Sequence, residues 1–438
     1  VGCVPSKGLI RAARAWHAVQ HGEERFAAAG SIGTGDFPAV MARMRKLRAD
    51  LSRVDSAQRF RGLGVDVYIG SGRFVASDAV EVAGKHLRFK KALIATGARA
   101  AVPPVAGLEP VGYLTNETVF NLTELPRRLA VVGGGPIGCE LAQAFARLGS
   151  YVTIFDSGAH LLHREDADAA AIVQGALERD GVQLELGVRL IDVLSRGREG
   201  REKLVRFERT AGEGPRTGEF VANEILIAAG RAPNVEGLGL EAAGVEYTAK
   251  GVTVDDRLRT SNRKIFAAGD ICSRHQFTHN SDAQARIVLQ NALFPGRARA
   301  SAVVLPWCTY TSPEIAHVGM YERDAQERGI PLDTLTVPLH EVDRAVLDGE
   351  DEGFLRLHLK KGSDRILGAT LVAEHAGDMM TGLCIAVSQG IGLGKIASTV
   401  FPYPTQGEVL KKAADAWRRT KLTPNTKRIL KVWFRLTG

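Results

Sequence analysis

Three stretches of the chain hold residues suited to redox chemistry. Cys3, in Val1-Gly2-Cys3-Val4-Pro5-Ser6-Lys7, precedes a proline and the expected start of a helix near Ser6 or Lys7. A thiol at a helix N-terminus has its thiolate, the reactive form, stabilised by the helix dipole. Gly133-Gly134-Gly135-Pro136-Ile137-Gly138 lies between a strand-like run, Arg128–Val132, and a helical one. Glycines so placed let the backbone approach a pyrophosphate, which then sits at the positive end of the helix. Asp156 closes the next strand-like run, Tyr151–Asp156, where an acid can accept hydrogen bonds from ribose hydroxyls. An acid there favours NADH, while the nearby His160, His163 and Arg164 leave NADPH open.

These groups need elements to position them. Residues 7 to 28 and 38 to 61 read as Ala- and Arg-rich helices. Strand-like pieces follow at Val65–Ile69, Arg73–Val75, Ala79–Val82 and Lys91 to Gly97. The strand, glycine turn, helix, strand order around residues 128–156 is a βαβ unit. A further strand ends at Gly269-Asp270, before a helix from about Ser281. Phe354–Leu359 alternates strictly, and a Lys361–Asp364 turn leads to Arg365–Val372, which predicts an antiparallel hairpin. An α+β unit therefore follows an α/β body.

The bulk numbers exclude several classes. At 438 residues the chain needs two to four domains. Its net charge of +8 is spread along the sequence, with no zinc-finger spacing and no aromatic-basic motif, so nucleic acid is not an expected partner. The five cysteines, Cys3, Cys139, Cys272, Cys308 and Cys384, are far apart and lack metal-ligand spacing. No metal site is expected. A sparse, odd set of cysteines fits a reducing compartment, here the cytoplasm. Cys139, Cys272 and Cys384 read as core, and Cys308 as a buried structural thiol. No apolar run reaches the roughly 18 residues of a membrane span.

In its order of motifs the chain resembles the class I pyridine nucleotide–disulfide oxidoreductases. The residues that carry the likeness are Gly2–Lys7, Ala95-Thr96-Gly97, Gly133–Glu140, Ala229–Asn234, Ile265–Asp270 and Pro402–Glu408. The resemblance implies two Rossmann-like dinucleotide-binding domains plus a C-terminal α+β dimerisation domain. It divides the chain into an FAD-binding first part over residues 1–120 and an NAD(P)-binding domain over 121–245. A second FAD-binding part would span 246–300, and a dimerisation domain with a basic tail 301–438.

FAD and NADH are the implied cofactors. Ala95, Thr96, Gly97, Asp270, Gln276, Phe277, Thr278 and His279 fall to the flavin, and Val188, Gly230 and Arg231 join the nucleotide-binding set. Lys7 and Glu140 are implied to pair beside the flavin. Cys3 matches the flavin-proximal member of a redox disulfide whose other cysteine would lie upstream of Val1. The glycine-rich start of the flavin domain, about 30 residues, is likewise not in the sequence. The chain therefore reads as N-terminally truncated, and on its own it is expected to bind FAD poorly and turn over little.

In the disulfide-reducing branches a His-Pro-Thr segment followed by Glu supplies the acid/base; here Tyr403-Pro404-Thr405 precedes Glu408. A phenol with pKa near 10 is a poor base at neutral pH. Tyr403 points instead toward a mercuric-reductase-like enzyme, although the C-terminus lacks the vicinal cysteines that would deliver metal. The expected acceptor is Hg(II), a disulfide or another small electrophile. A dihydrolipoamide dehydrogenase-like disulfide reductase and a redox-sensing flavoprotein without turnover are the alternatives. A homodimer is implied, with Tyr403 and Glu408 of one subunit completing the other's site. The tail from Ala413 is rich in Lys, Arg and Trp; a solvated terminal helix is expected, with peripheral contact to an anionic membrane as the alternative.

Overall fold

The computed structural model describes residues 2–22, 36–197, 201–209 and 216–437. Residues 23–28, the end of the helix expected over 7 to 28, lie outside them. Helix α1 (Cys3–Gln20) buries Leu9, Ile10 and Ala13 on one side, and α2 (Phe37–Ser52) answers with Phe37, Met41 and Met44. Asp36 caps α2 by accepting the Ala39 N–H at 2.9 Å. The predicted single helix to residue 61 is instead broken after Ser52, resuming over Ala57–Gly62 once Ser56 caps a new start. Val65–Ile69 forms no strand, and Ile69 stands 71% exposed. Its residue types suit a strand, but no ladder partner lies beside it among the described residues.

Strands β1 (Arg73–Ala76), β2 (Ala79–Val82) and β3 (Lys85–Arg88) form an antiparallel meander. The next two, β4 (Ala92–Ile94) and β5 (Ala98–Ala100), flank the Ala95–Gly97 turn.

The βαβ unit is built on β6 (Arg128–Val132), helix α3 (Pro136–Arg147), β7 (Tyr151–Asp156), helix α4 (Ala167–Arg179) and β8 (Gln183–Leu186). Three antiparallel strands, β9 (Val188–Arg196), β10 (Glu202–Arg209) and β11 (Arg216–Ala222), precede β12 (Glu224–Ile227). The parallel sheet runs β12-β6-β7-β8. Strand order therefore reverses at β6, and the crevice beyond its carboxyl end is where such sheets bind ligands. Phe155 packs edge-on against Phe207 and Phe220, joining this sheet to β10 and β11.

The chain returns through β13 (Arg231–Pro233), the short pair β14 (Tyr247–Thr248) and β15 (Gly251–Val252), and β16 (Ile265–Ala267), into helix α5 (Thr278–Leu293). The helix begins three residues before the expected Ser281. Antiparallel pairing of β13 with β5 and parallel pairing of β16 with β4 bring together three segments far apart in sequence.

A five-stranded antiparallel sheet forms the C-terminal unit. It contains β17 (Pro306–Thr309), β18 (Glu314–Gly319), β19 (Leu332–Pro338), β20 (Phe354–Lys360) and β21 (Ile366–Ala373), in the order 17-18-21-20-19. The predicted hairpin is β20–β21, with Phe354 opposite Val372. Helices α6 (Ala376–Gln389) and α7 (Glu408–Thr420) cover the sheet through Met380, Leu383, Val409 and Ala413. A final helix, α8 (Pro424–Thr437), buries none of its residues. The fold is thus an α/β Rossmann-like body followed by an α+β domain. No described helix is long and apolar enough to cross a membrane.

Candidate functional site

The first turn of α1 presents Cys3 and Lys7 four residues apart, on one side of the helix. The helix begins at Cys3 itself, not at Ser6 or Lys7, because Pro5 sits comfortably in a first turn, where its missing N–H is not needed. Lys7 Nζ reaches Glu140 Oε2 on α3 at 2.7 Å. Glu140 is only 6% exposed, and its other carboxylate oxygen accepts the Tyr310 N–H at 2.9 Å. The Lys7 ammonium also stands 4.4 Å from the centre of the Tyr310 ring. The expected pair therefore forms and gains a third partner that sequence reading missed. Burial, the nearby thiols and the carboxylates push the Tyr310 phenol up to about 12.

Cys3 Sγ lies 3.4 Å from the Thr278 hydroxyl, so the start of α1 meets the start of α5. No side chain caps the N-terminus of α5. Its neighbours Phe277 and His279 stack at 5.4 Å, and Phe277 lies parallel to Trp307 at 6.3 Å. His279 Nε2 and the Pro306 carbonyl are 2.6 Å apart, and Gln276 donates to the Asp270 carbonyl.

Asp270 pairs with Arg231 at 3.0 Å, and Arg231 also donates to the Ala98 carbonyl. Its Nε is buried without a partner. Asn234 accepts from the Thr96 hydroxyl through its carbonyl, donates to the Thr96 carbonyl through its side chain, and bonds Gly97 O through its N–H. Ala95, Thr96, Gly97, Gly230, Arg231 and Asp270 thus converge where β4, β5, β13 and β16 meet. An orphan cationic N–H beside a carboxylate, next to an uncapped helix start, fits the hydroxylated chain and electron-rich ring edge of a flavin.

At the glycine turn, Gly133 has φ of +111°, and a side chain there would come within 2.5 Å of the Ala228 carbonyl. A Cβ on Gly138 would lie 1.9 Å from Gly133 O, which is why α3 can pack this closely on β6. A Cβ on Gly135, by contrast, meets nothing within 4 Å. That side of the turn is open in front of Pro136, Ile137 and the first turn of α3, and it fits a pyrophosphate.

Asp156 accepts from Gly134 N–H at 2.5 Å and Gly158 N–H at 2.6 Å. The acid therefore shapes the turn as well as facing it, a role beyond the expected one. Val188 is 3% exposed and packs in the apolar cluster with Phe155.

The expected acceptor end lies elsewhere in the subunit. Tyr403 is 70% exposed and its hydroxyl donates to Asp343 at 2.9 Å, which raises the phenol pKa further. Glu408 Oε2 is buried without a partner. No hydrogen bond or ion pair joins either residue to Cys3, Lys7 or Glu140 within the subunit. All five cysteines are free thiols. Cys139 is buried, Cys272 and Cys384 are half-buried against core clusters, and burial plus Glu314 hold the Cys308 thiol well above its usual pKa. Glu314 itself is paired with Arg14 at 3.0 Å.

One further network spans the units. Trp307 Nε1 donates to the buried Glu165 at 2.9 Å, and Tyr321 donates to the other oxygen of that carboxylate. Desolvation raises the Glu165 pKa. His317 stacks on Tyr321 at 3.6 Å, and burial holds its ring pKa down to about 3.

A family model described as pyridine nucleotide-disulphide oxidoreductase matches residues 1–285, and one described as the dimerisation domain of that group matches 305–414. A mercuric reductase of Lysinibacillus sphaericus is 34% identical over 426 residues, covering 95% of this chain and 76% of that protein. A dihydrolipoyl dehydrogenase of Geobacillus stearothermophilus is 31% identical over 424 residues, covering 95% of this chain and 87% of that protein. The HOCl-induced flavoprotein disulfide reductase RclA of Escherichia coli has a solved structure that superposes with a TM-score of 0.81. It is 28% identical, and the match covers 95% of this chain and 90% of that one.

Proposed function

Since the chain belongs to the pyridine nucleotide-disulphide oxidoreductase family, we propose that it carries electrons from NADH, through FAD and a redox disulfide that includes Cys3, to a small disulfide-class acceptor. Family membership implies that it is an FAD- and NAD(P)H-linked oxidoreductase. The observation that carries the finer reading is the Lys7–Glu140 pair, capped by the Tyr310 N–H and standing one helical turn from Cys3.

Bound flavin would supply a two-electron relay between nicotinamide and a redox disulfide, of which the family resemblance makes Cys3 the flavin-proximal sulfur. The residues of the chain do the rest. Asp270 and Arg231 would hold the ribityl hydroxyls, and the N-terminus of α5 would face the electron-rich edge of the ring. Glu140 fixes the Lys7 ammonium, so a positive charge stands ready without reorganisation. The open side of Gly135 would take the nicotinamide pyrophosphate, with Asp156 turned to the ribose.

The acceptor must tolerate a weak base at Tyr403, whose hydroxyl is already committed to Asp343. That favours a disulfide with an easily departing thiol, in keeping with the likeness to a flavoprotein disulfide reductase. Hg(II) is the second reading, favoured by the tyrosine itself and by the 34% identity to a mercuric reductase. The match to a dimerisation domain supports a homodimer, in which the exposed Tyr403 of one subunit would reach the other's Cys3.

The test is anaerobic reduction by NADH of the protein reconstituted with FAD, its flavin absorbance first showing the site filled, followed by mixing with an aromatic disulfide or with Hg(II). Fast reoxidation by the disulfide supports the first reading; reoxidation by Hg(II) alone moves the assignment to the second. Reoxidation by neither would leave a redox sensor without turnover.

A further inference from the structure

Helix α8 has two faces of different chemistry. Lys427, Arg428, Lys431 and Arg435 fall on one side of a helix with 3.6 residues per turn. Ile429, Leu430, Val432, Trp433, Phe434 and Leu436 fall on the other, and the two sets do not overlap. The apolar face is bare: Trp433 is 60% exposed, Phe434 64%, Ile429 69% and Leu436 79%. After Asp415 the sequence holds no acidic residue, while Arg418, Arg419 and Lys421 add to the positive charge. The segment also lies past residue 414, where the match to the dimerisation domain stops.

A helix with a basic back and an uncovered aromatic front is satisfied on both faces at once by an anionic lipid surface. We propose that α8 lies in the plane of an anionic lipid surface, with Trp433 and Phe434 at the acyl boundary and the basic face among the phosphate headgroups. The occupant is a lipid surface, whose anionic headgroups and acyl boundary complement the uniformly basic face and the apolar face together. The apolar face also ends in Trp and Phe, residue types that settle at the water–hydrocarbon interface. The attachment is peripheral, and it would bring the oxidoreductase to acceptors at or near the bilayer.

The test is flotation of the whole chain with vesicles of phosphatidylcholine containing phosphatidylglycerol, against vesicles of phosphatidylcholine alone. Recovery with the anionic vesicles is expected to be about ten-fold higher and to fall with salt. The double variant Trp433→Glu/Phe434→Glu keeps all the basic residues and should lose the binding. The quadruple variant Lys427→Gln/Arg428→Gln/Lys431→Gln/Arg435→Gln keeps the apolar face and should lose the preference for anionic lipid. Because α8 buries nothing, both variants should retain the thermal midpoint of the parent.

Unchanged flotation of the Trp433/Phe434 variant would mean charge attraction alone and would overturn the proposal. So would absence of flotation by the parent. If the same substitutions instead lower the mass seen by sedimentation equilibrium without lipid, the face is a contact between copies of the chain, and the lipid assignment falls.

Discussion

The sulfur of Cys3 lies 3.4 Å from the hydroxyl of Thr278, 275 residues further along the chain. Each residue opens a helix, so two positive helix ends face one small volume, and negative charge generated there is stabilised by both. Cys3→Ser should leave NADH-driven reduction of bound flavin intact while abolishing transfer to the acceptor. Stopped-flow measurement of the two half-reactions separates these. Equal loss of both would mean that Cys3 holds the site together without taking part in transfer.

Lys7→Met removes the cation that faces the buried Glu140 carboxylate. The cost to stability should be about 1–2 kcal/mol, less than for a fully buried pair, because water screens the 36% exposed lysine. Flavin reduction by NADH should slow by about ten-fold or more. Lys7→Met/Glu140→Gln should recover much of the stability and none of the rate. Urea unfolding and single-turnover kinetics read the two effects separately.

Gly135→Ala and Gly138→Ala should behave differently although they stand three residues apart. At Gly138 the new methyl meets a backbone oxygen at 1.9 Å, so α3 must shift, at a cost of about 1–3 kcal/mol. At Gly135 it meets nothing within 4 Å of protein, so stability should hold while NADH affinity drops. Calorimetric titration with NADH beside thermal unfolding gives both numbers. If Gly135→Ala binds NADH like the parent, the pyrophosphate does not sit on that side of the turn.

His317 is fully buried, and its ring stays neutral in the folded protein down to about pH 3, against a usual value of 6.5. The unfolded chain takes up that proton below 6.5 and the folded chain does not. This contribution to stability is therefore complete above pH 6.5 and lost as pH falls toward 3, by up to about 1.4 kcal/mol per unit. Glu165 has its pKa raised by burial and works in the opposite sense, gaining its proton in the folded state first. His317→Phe keeps the stack on Tyr321 and should flatten the fall of the urea midpoint between pH 6.5 and 5. Identical slopes in parent and variant would mean that the ring is protonated when folded.

What the sequence made legible was local. Gly133–Gly138, with apolar residues before and helical spacing after, fixes a βαβ unit within about 30 residues, and Asp156 falls at the end of β7 as expected. The strict alternation from Phe354 to Leu359 reads directly as β20. The Lys7–Glu140 pair was legible only through resemblance, since nothing local links residues 133 positions apart. Tyr310, Trp307, Glu165 and Glu314 escaped notice for the same reason. Each contributes one backbone or side-chain group across a unit boundary, and a lone aromatic or carboxylate carries no spacing to recognise. Val65–Ile69 failed in the other direction, because β-type residues make a strand only when a neighbour takes their backbone bonds.

One apolar cluster takes in Leu9, Met41 and Met44 from the first helices, Val131 and Ile154 from the parallel sheet, and Ile315, Phe354 and Val372 from the C-terminal sheet. Three units that the sequence order keeps apart thus share a single interior. None can come loose without exposing side chains that belong to the others, so the described body should melt as one cooperative block. Limited proteolysis would then nick its loops without releasing a folded fragment.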